Sequence, residues 1–179
     1  MVIRVERFNT YLLLLIGLSL TLGCQNTEFK RKRQKAVLRV HMEAVPDGTN
    51  LTQPVVFGRS SPISVHVQTI PFLSEDNVVS AKIIDALGGY SLQIKFDQTG
   101  RRLLELYTAS NPRKRVAIFS QFGKNMDRSR WLAAPVIAKR ISDGILTFTP
   151  DTDLKETEEI ELGLNNHARL NQPKSEREP

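Results

Sequence analysis

A single cysteine, Cys24, is the feature that most constrains how this chain of 179 residues can fold. One cysteine closes no intramolecular disulfide and supplies no thiolate set for a structural zinc ion. The fold must therefore rest on a packed apolar core, for which a hydrophobic fraction of 40% is sufficient.

The cysteine ends a leader at the start of the chain. Arg4 and Arg7 precede an apolar run over residues 11–22, YLLLLIGLSLTL. Its twelve residues are too few to cross a bilayer as a helix, which takes about 20. A charged start and a short apolar run are typical of a secretory signal peptide. We therefore predict a signal peptide over residues 1–23.

Gly23 and Cys24 follow the apolar run directly, and this junction resembles the lipobox of bacterial lipoproteins. The resemblance implies that the Cys24 thiol carries a diacylglycerol, with palmitate-type acyl chains as a stable membrane anchor. Thr21 stands where that pattern prefers leucine, valine or isoleucine, so an ordinary signal peptide with a chance cysteine, or an uncleaved anchor, remains the alternative. Gln25, in place of an aspartate, favours the outer membrane of a Gram-negative cell envelope.

Residues 24–36 are predicted to form a polar tether with a basic cluster. The cluster can attract anionic lipid headgroups, which contributes about 1 kcal/mol per basic residue near the surface. The alternative is a solvated spacer. No aromatic residues interleave with the charge, and the chain is predicted to face the periplasm, so we expect no nucleic-acid partner.

Strands are predicted after the tether, several of them from apolar alternation with a period of two and the one over 78–86 from its β-branched residues. Their bounds are 36–43, 54–58, 63–68, 78–86, 90–96, 115–122, 131–137 and 145–149. His41 and His66 fall on polar phases, so we expect surface histidines. Ser74 is expected to cap a helical turn.

Two longer helices are predicted. The first follows a cap at Asp97 or Thr99, and its apolar side comprises Leu103, Leu106, Tyr107 and Ser110. The second starts near Asp151, with a stripe of Leu154, Ile160, Leu164 and Ala168. This order predicts an α+β fold, a mostly antiparallel sheet with two main helices packed on one face, over residues 37–170. Residues 171–179 are predicted to be disordered.

The part of this domain over residues 90–166 resembles the periplasmic head domain of SecD, a subunit of the protein-export machinery. The segments that carry the resemblance are SLQIKFDQTGRRLLELYT (91–108), RVAIFSQF (115–122), LAAPVIAKRISDG (132–144) and ILTFTPDTDLKETEEIELGL (145–164). No motif decides whether residues 37–89 belong to the same domain. SecD continues into transmembrane helices, whereas this sequence has no apolar run of spanning length after Leu22. We therefore expect a free-standing head domain on a lipid tether.

No catalytic signature of the GxSxG, HExxH, P-loop or GxGxxG type is found. We expect no cofactor, no metal and no enzymatic activity. Pro135 is expected at a sheet edge, where a peptide can add a strand. Trp131 is either a partner contact or a tryptophan of the core or rim. Two basic patches are present in the sequence, one over residues 113–115 and one comprising Arg128, Arg130, Lys139 and Arg140. They either converge to bind anionic lipid or an acidic partner surface, or are scattered solvated charge.

The sequence thus favours a lipid-anchored, non-enzymatic envelope protein that binds a protein or peptide segment, with an exported or envelope protein as the expected partner. The alternative function is structural, through contact with peptidoglycan or anionic lipid. A third hypothesis is an enzyme with an unrecognised site. No feature indicates an oligomeric state.

Overall fold

Strands dominate the computed structural model, which describes residues 33–58 and 61–171. In this part of the chain the strands are β1 (Val37–Met42), β2 (Thr52–Phe57), β3 (Ile63–Gln68), β4 (Leu73–Ser74), β5 (Val78–Ala86), β6 (Gly89–Phe96), β7 (Val116–Phe122), β8 (Arg128–Ala133) and β9 (Ile145–Phe148). The helices are a 3₁₀ turn (Glu75–Asn77), α1 (Gln98–Ser110) and α2 (Leu154–Asn171). The predicted signal peptide, Cys24, most of the tether and residues 172–179 lie outside the described residues.

All strand pairs in the described ladders are antiparallel. They form a four-stranded sheet of order β4-β1-β7-β8, a hairpin β2-β3 and a three-stranded sheet β5-β6-β9. The predicted α+β class is confirmed, with the strands divided among three sheets. Since β1 lies between β4 and β7, residues from both halves of the chain share one sheet.

The main core lies between these sheets and the helices. The alternating apolar residues of β1 and β6 face this core, since Leu38, Val40, Leu92 and Ile94 are each fully buried. Ile160 and Leu164 of α2 belong to the same core. Burial of each such side chain stabilises the fold by about 1.5–3 kcal/mol relative to an exposed position.

Helix α1 begins as predicted at the Asp97 cap, whose Oδ1 accepts from the Gly100 N–H at 2.6 Å. Its predicted apolar side is wrong in part, because the buried residues are Gly100, Leu104 and Thr108, while Leu106 is 58% exposed. The core-facing row includes a glycine because Phe96 and Asn77 leave no room for a side chain there. A hydrophobicity pattern does not detect such a row.

Helix α2 begins at Leu154 instead of Asp151, because Asp153 Oδ1 accepts from the Glu156 N–H at 2.8 Å. Leu154 is about half exposed and lies outside the buried stripe. At Gly163 a Cβ would lie 2.6 Å from the Ala36 nitrogen, so this glycine lets the start of the domain cross the helix. None of the helices in the described residues is both long and apolar enough to cross a bilayer.

Candidate functional site

An apolar cleft of about 360 Å³ lies where the ends of three strands meet. Residues 132–135 at the end of β8 form one part of its lining, and Phe148, Thr149 and Asp151 at the end of β9 form another. Phe57 and Gly58 contribute the end of β2. A second hollow of about 300 Å³ shares part of this lining and is also lined by Val56, Pro62, Arg130 and Trp131.

Hydrogen bonds hold the end of β8 in an irregular conformation. Phe119 pairs with Trp131 and Ile118 with Ala133, so Leu132 is the extra residue of a β-bulge. The Asp151 N–H donates to the Leu132 carbonyl at 2.7 Å. These bonds fix the cleft wall that β8 supplies.

Pro135 follows an edge strand, but it lies beyond the strand itself. β8 is the outermost strand of its sheet and ends at Ala133, so the predicted strand over 131–137 is displaced towards the N-terminus. The Pro135 carbonyl accepts from the Val116 N–H at 3.0 Å, which turns this segment back onto the start of β7. Its ring lines the cleft.

Trp131 is half-buried and packs against a second core. That core comprises Val55, Val65, Val67, Ala117 and Ala134. The Trp131 ring centroid lies 5.3 Å from that of Phe119 and 5.3 Å from that of His41. Trp131 therefore occupies the core-rim position considered as the alternative. That Trp131 contacts a partner stays a prediction. A partner would reach the residue from the second hollow, which Trp131 helps to line.

The prediction of a surface histidine is wrong for His41, which is buried. The β2–β3 hairpin covers this face of β1, and the His41 Nδ1 lies 2.8 Å from the Gln68 carbonyl oxygen. Burial lowers the pKa of His41, and the charge of Arg39 lowers it further. Alternation along one strand does not reveal that a hairpin lies over its polar face.

The remaining histidines lie elsewhere. His66 is half-buried on β3, and His167 Nε2 lies 2.9 Å from Asp76 Oδ1. In residues 33–58 and 61–171, no group of three or more histidine, cysteine, aspartate or glutamate side chains is placed to hold a metal ion.

Arg128 and Arg130 form ion pairs with the first turns of α2. Arg130 Nη1 lies 2.8 Å from Glu156 Oε2, and Arg128 pairs with Glu159. Arg128 Nη1 also lies 3.7 Å from Glu156 Oε1. These arginines therefore fasten β8 to α2, and their role as partner contacts stays a prediction.

Lys139 and Arg140 are not grouped with Arg128 and Arg130, as the second patch in the sequence suggested. They follow a segment that pairs with residues 113–114. The Arg113 N–H donates to the Ile137 carbonyl at 3.0 Å, and the Ile137 N–H donates to the Lys114 carbonyl at 2.8 Å. This pairing places the 113–114 segment beside Ile137, two and three residues before Lys139 and Arg140. The four exposed side chains, Arg113, Lys114, Lys139 and Arg140, are called the basic face below.

Two residues of α2 that no sequence pattern indicated, Asn165 and Glu161, cover the outer edge of β5. Asn165 accepts from the Ala81 N–H at 2.8 Å and donates to the Ala81 carbonyl at 2.9 Å. Glu161 Oε1 accepts from the Ile83 N–H at 3.3 Å. The Asn165 side chain thus replaces the backbone of a neighbouring strand. No local signal marks a pair 84 residues apart.

The family model described as "SecDF, P1 head subdomain" matches residues 30–168. A solved structure described as "Structure and function of a membrane component SecDF that enhances protein export" is 20% identical, with a TM-score of 0.53, and the match covers 79% of this chain and 67% of that one. A second, described as "Crystal structure of SecDF in Super-membrane-facing form", is 19% identical with a TM-score of 0.53.

The match to this second structure covers 79% of the present chain and 20% of the other. At these identities the structural similarity shows a common fold. No curated protein matches the sequence.

Proposed function

The chain belongs to the SecDF P1 head subdomain family, and on this basis we propose that it is a non-enzymatic head domain that binds a protein or peptide segment. One of the similar structures is described as a membrane component that enhances protein export. By analogy, the proposed partner is an exported or envelope protein in the periplasm. Fold similarity alone does not transfer function, so the site must carry the argument.

The cleft between the ends of β2, β8 and β9 is the observation that carries this proposal. Its lining is mostly apolar, with Phe57, Leu132, Ala133, Ala134, Pro135 and Phe148. Because these residues lie at the ends of β2, β8 and β9, main-chain groups of the three strand ends also border the cleft. An extended polypeptide complements this combination, because its backbone forms hydrogen bonds while alternate side chains enter apolar hollows.

A lipid on Cys24 is the proposed means of attachment to the envelope. The support is the junction of a short apolar run with the only cysteine of the chain. The lipid would leave the domain facing the periplasm, with the outer membrane as the favoured site in a Gram-negative cell. Replacement of Cys24 by alanine is then expected to release the protein from the membrane fraction.

In-cell crosslinking followed by pull-down of a C-terminally tagged chain tests both parts. We expect wild-type protein to recover export or envelope proteins and Cys24→Ala to lose them. Val56→Asp places a charge at the exposed rim of the second hollow and should also lose them, whereas Leu87→Asp, at an exposed hairpin tip, should not. Equal recovery by the two aspartate variants would contradict binding at the cleft and the second hollow that adjoins it.

The basic face favours a second candidate function, structural contact with peptidoglycan or anionic lipid. It consists of four exposed cations, of which Arg140 has its Nε 3.5 Å from Glu105 Oε1. Sedimentation with purified sacculi and with anionic vesicles tests this function. Loss of sedimentation in Arg113→Ala/Lys139→Ala, with retention in the exposed control Lys82→Ala, is the expected result. Equal sedimentation of both variants would contradict a role for the basic face.

A further inference from the structure

We infer that the outer edge of β9 receives an extended polypeptide as an added strand, with Thr147 as the residue that exchanges main-chain hydrogen bonds with it. This inference rests on the proposed function and names the element that performs it. The ligand class is an extended polypeptide segment of another protein.

The β6–β9 ladder determines which backbone groups of β9 face outward. The Phe96 N–H donates to the Gly144 carbonyl at 2.9 Å, and the register pairs Ile94 with Leu146. In an antiparallel ladder hydrogen-bonded pairs alternate with non-hydrogen-bonded pairs. Thr147, opposite Gln93, is therefore a non-hydrogen-bonded pair, and its N–H and C=O point away from β6.

Only some of the outward N–H and C=O groups of β9 have a hydrogen-bond partner in the described residues. The Ile145 N–H, which also points outward, donates to Asp143 Oδ1 at 3.0 Å. For the Thr147 N–H and C=O, no hydrogen-bond partner is found in the described part of the chain. The Thr147 side chain is exposed as well. The edge leads into the cleft, since Phe148 and Thr149 line it.

The edges of the small hairpin are interrupted at particular positions, a device that native proteins commonly use to prevent unwanted pairing. The Thr69 N–H donates to the Leu51 carbonyl, so Pro54 occupies an outward-facing position of β2, where it offers no donor. On β3, the His66 carbonyl already accepts from the Ala44 N–H at 2.9 Å.

The larger sheets are protected in other ways. β5 is closed by Asn165 and Glu161 of α2. β8 carries the bulge at Leu132 and its bond from Asp151. β4 has only two residues. β9 combines regular pairing, outward N–H and C=O groups at Thr147 for which the described residues offer no partner, and a neighbouring apolar cleft, and unlike β2 its paired residues include no proline.

Replacement of Thr147 by proline tests the inference directly. Proline removes the outward N–H but no bond of the β6–β9 ladder, so it is compatible with an edge strand. Thr147→Val is the matched control, with the same charge, a similar shape and an intact N–H. The probe is reduced, carboxymethylated α-lactalbumin, a permanently unfolded polypeptide, added to the full chain in detergent at physiological ionic strength.

We expect wild-type protein and Thr147→Val to bind the probe with similar affinity and Thr147→Pro to bind about tenfold more weakly, as loss of a main-chain hydrogen bond implies. Because the variants carry the same charge, non-specific attraction between the basic protein and the acidic probe cancels in the comparison. Equal binding by Thr147→Pro and Thr147→Val would overturn the inference.

Hydrogen exchange at the Thr147 amide of the wild-type chain provides a measurement that does not depend on the folding of a variant. We expect the probe to slow this exchange, and unchanged exchange with bound probe would overturn the assignment to β9. Failure of the wild-type protein to bind the probe would contradict the proposed function, and the inference with it. Binding that persists in Thr147→Pro contradicts the inference alone.

Discussion

At the scale of single residues, the burial of His41 makes the free energy of unfolding depend on pH. His41 is 5% exposed, and burial lowers its pKa from the usual 6.5. Between 6.5 and the lower folded value, the unfolded chain binds a proton that the folded chain does not. The contribution of His41 to the free energy of unfolding is therefore fully present above pH 6.5. It decreases as the pH falls, by at most about 1.4 kcal/mol per pH unit. Urea unfolding at about pH 7.5 and about pH 5.5 measures this loss.

His41→Gln is the control for this prediction. Glutamine keeps a donor for the Gln68 carbonyl but does not titrate, while His66 and His167 are retained. The variant should lose less stability than the wild-type protein over the same pH interval. Equal losses would show that other groups account for the pH dependence.

At the scale of elements, α2 protects the edge of β5 through Asn165. Asn165→Leu leaves the Ala81 N–H and C=O without their partner, which should lower the free energy of unfolding by about 1–3 kcal/mol. The uncovered edge should also increase aggregation. Chemical denaturation and light scattering measure the two effects. Glu158→Leu, an exposed change on the same helix, should have little effect on the free energy of unfolding. A similar small effect of Asn165→Leu would contradict this role.

Period-two alternation was sufficient to predict β1, β3 and β6, and local capping chemistry predicted the roles of Ser74 and Asp97. The buried side of α1 was not predictable in the same way, because Gly100 and Thr108 face the core through close packing and a hydroxyl bond. The protection of the β5 edge depends on residues far apart in the sequence.

At the scale of the whole molecule, the cleft depends on where three distant segments end. The sequence suggested Pro135 and Trp131 as partner contacts, but nothing local placed Phe57 and Phe148 beside them. The positions of the basic residues were likewise not predictable from the sequence, because Arg128 and Arg130 form ion pairs with glutamates of α2. Sequence patterns predict the faces of elements, whereas the cleft and the basic face follow from how those elements meet.

The resemblance noticed in the sequence was clearest over residues 90–166, yet the fold indicates that this part is not independent. β1 pairs with β7 over six residue pairs and contributes Leu38, Val40 and Met42 to the main core. Without residues 34–89, β7 would present an open edge and the core would lose one layer of apolar side chains. We therefore expect a fragment of residues 90–171 to lack a cooperative thermal transition, whereas residues 34–171 should show one.

Circular dichroism melts of the two fragments, with size-exclusion chromatography to exclude aggregation, measure this difference. A third fragment, residues 34–89, provides the control, because its addition to residues 90–171 should restore the transition if the missing layer is the cause. Restoration requires β1 to re-enter between β4 and β7 and β5 to pair again with β6. A cooperative transition in residues 90–171 alone would mean that the C-terminal half carries a sufficient core. The N-terminal strands would then not be required for the domain to fold cooperatively.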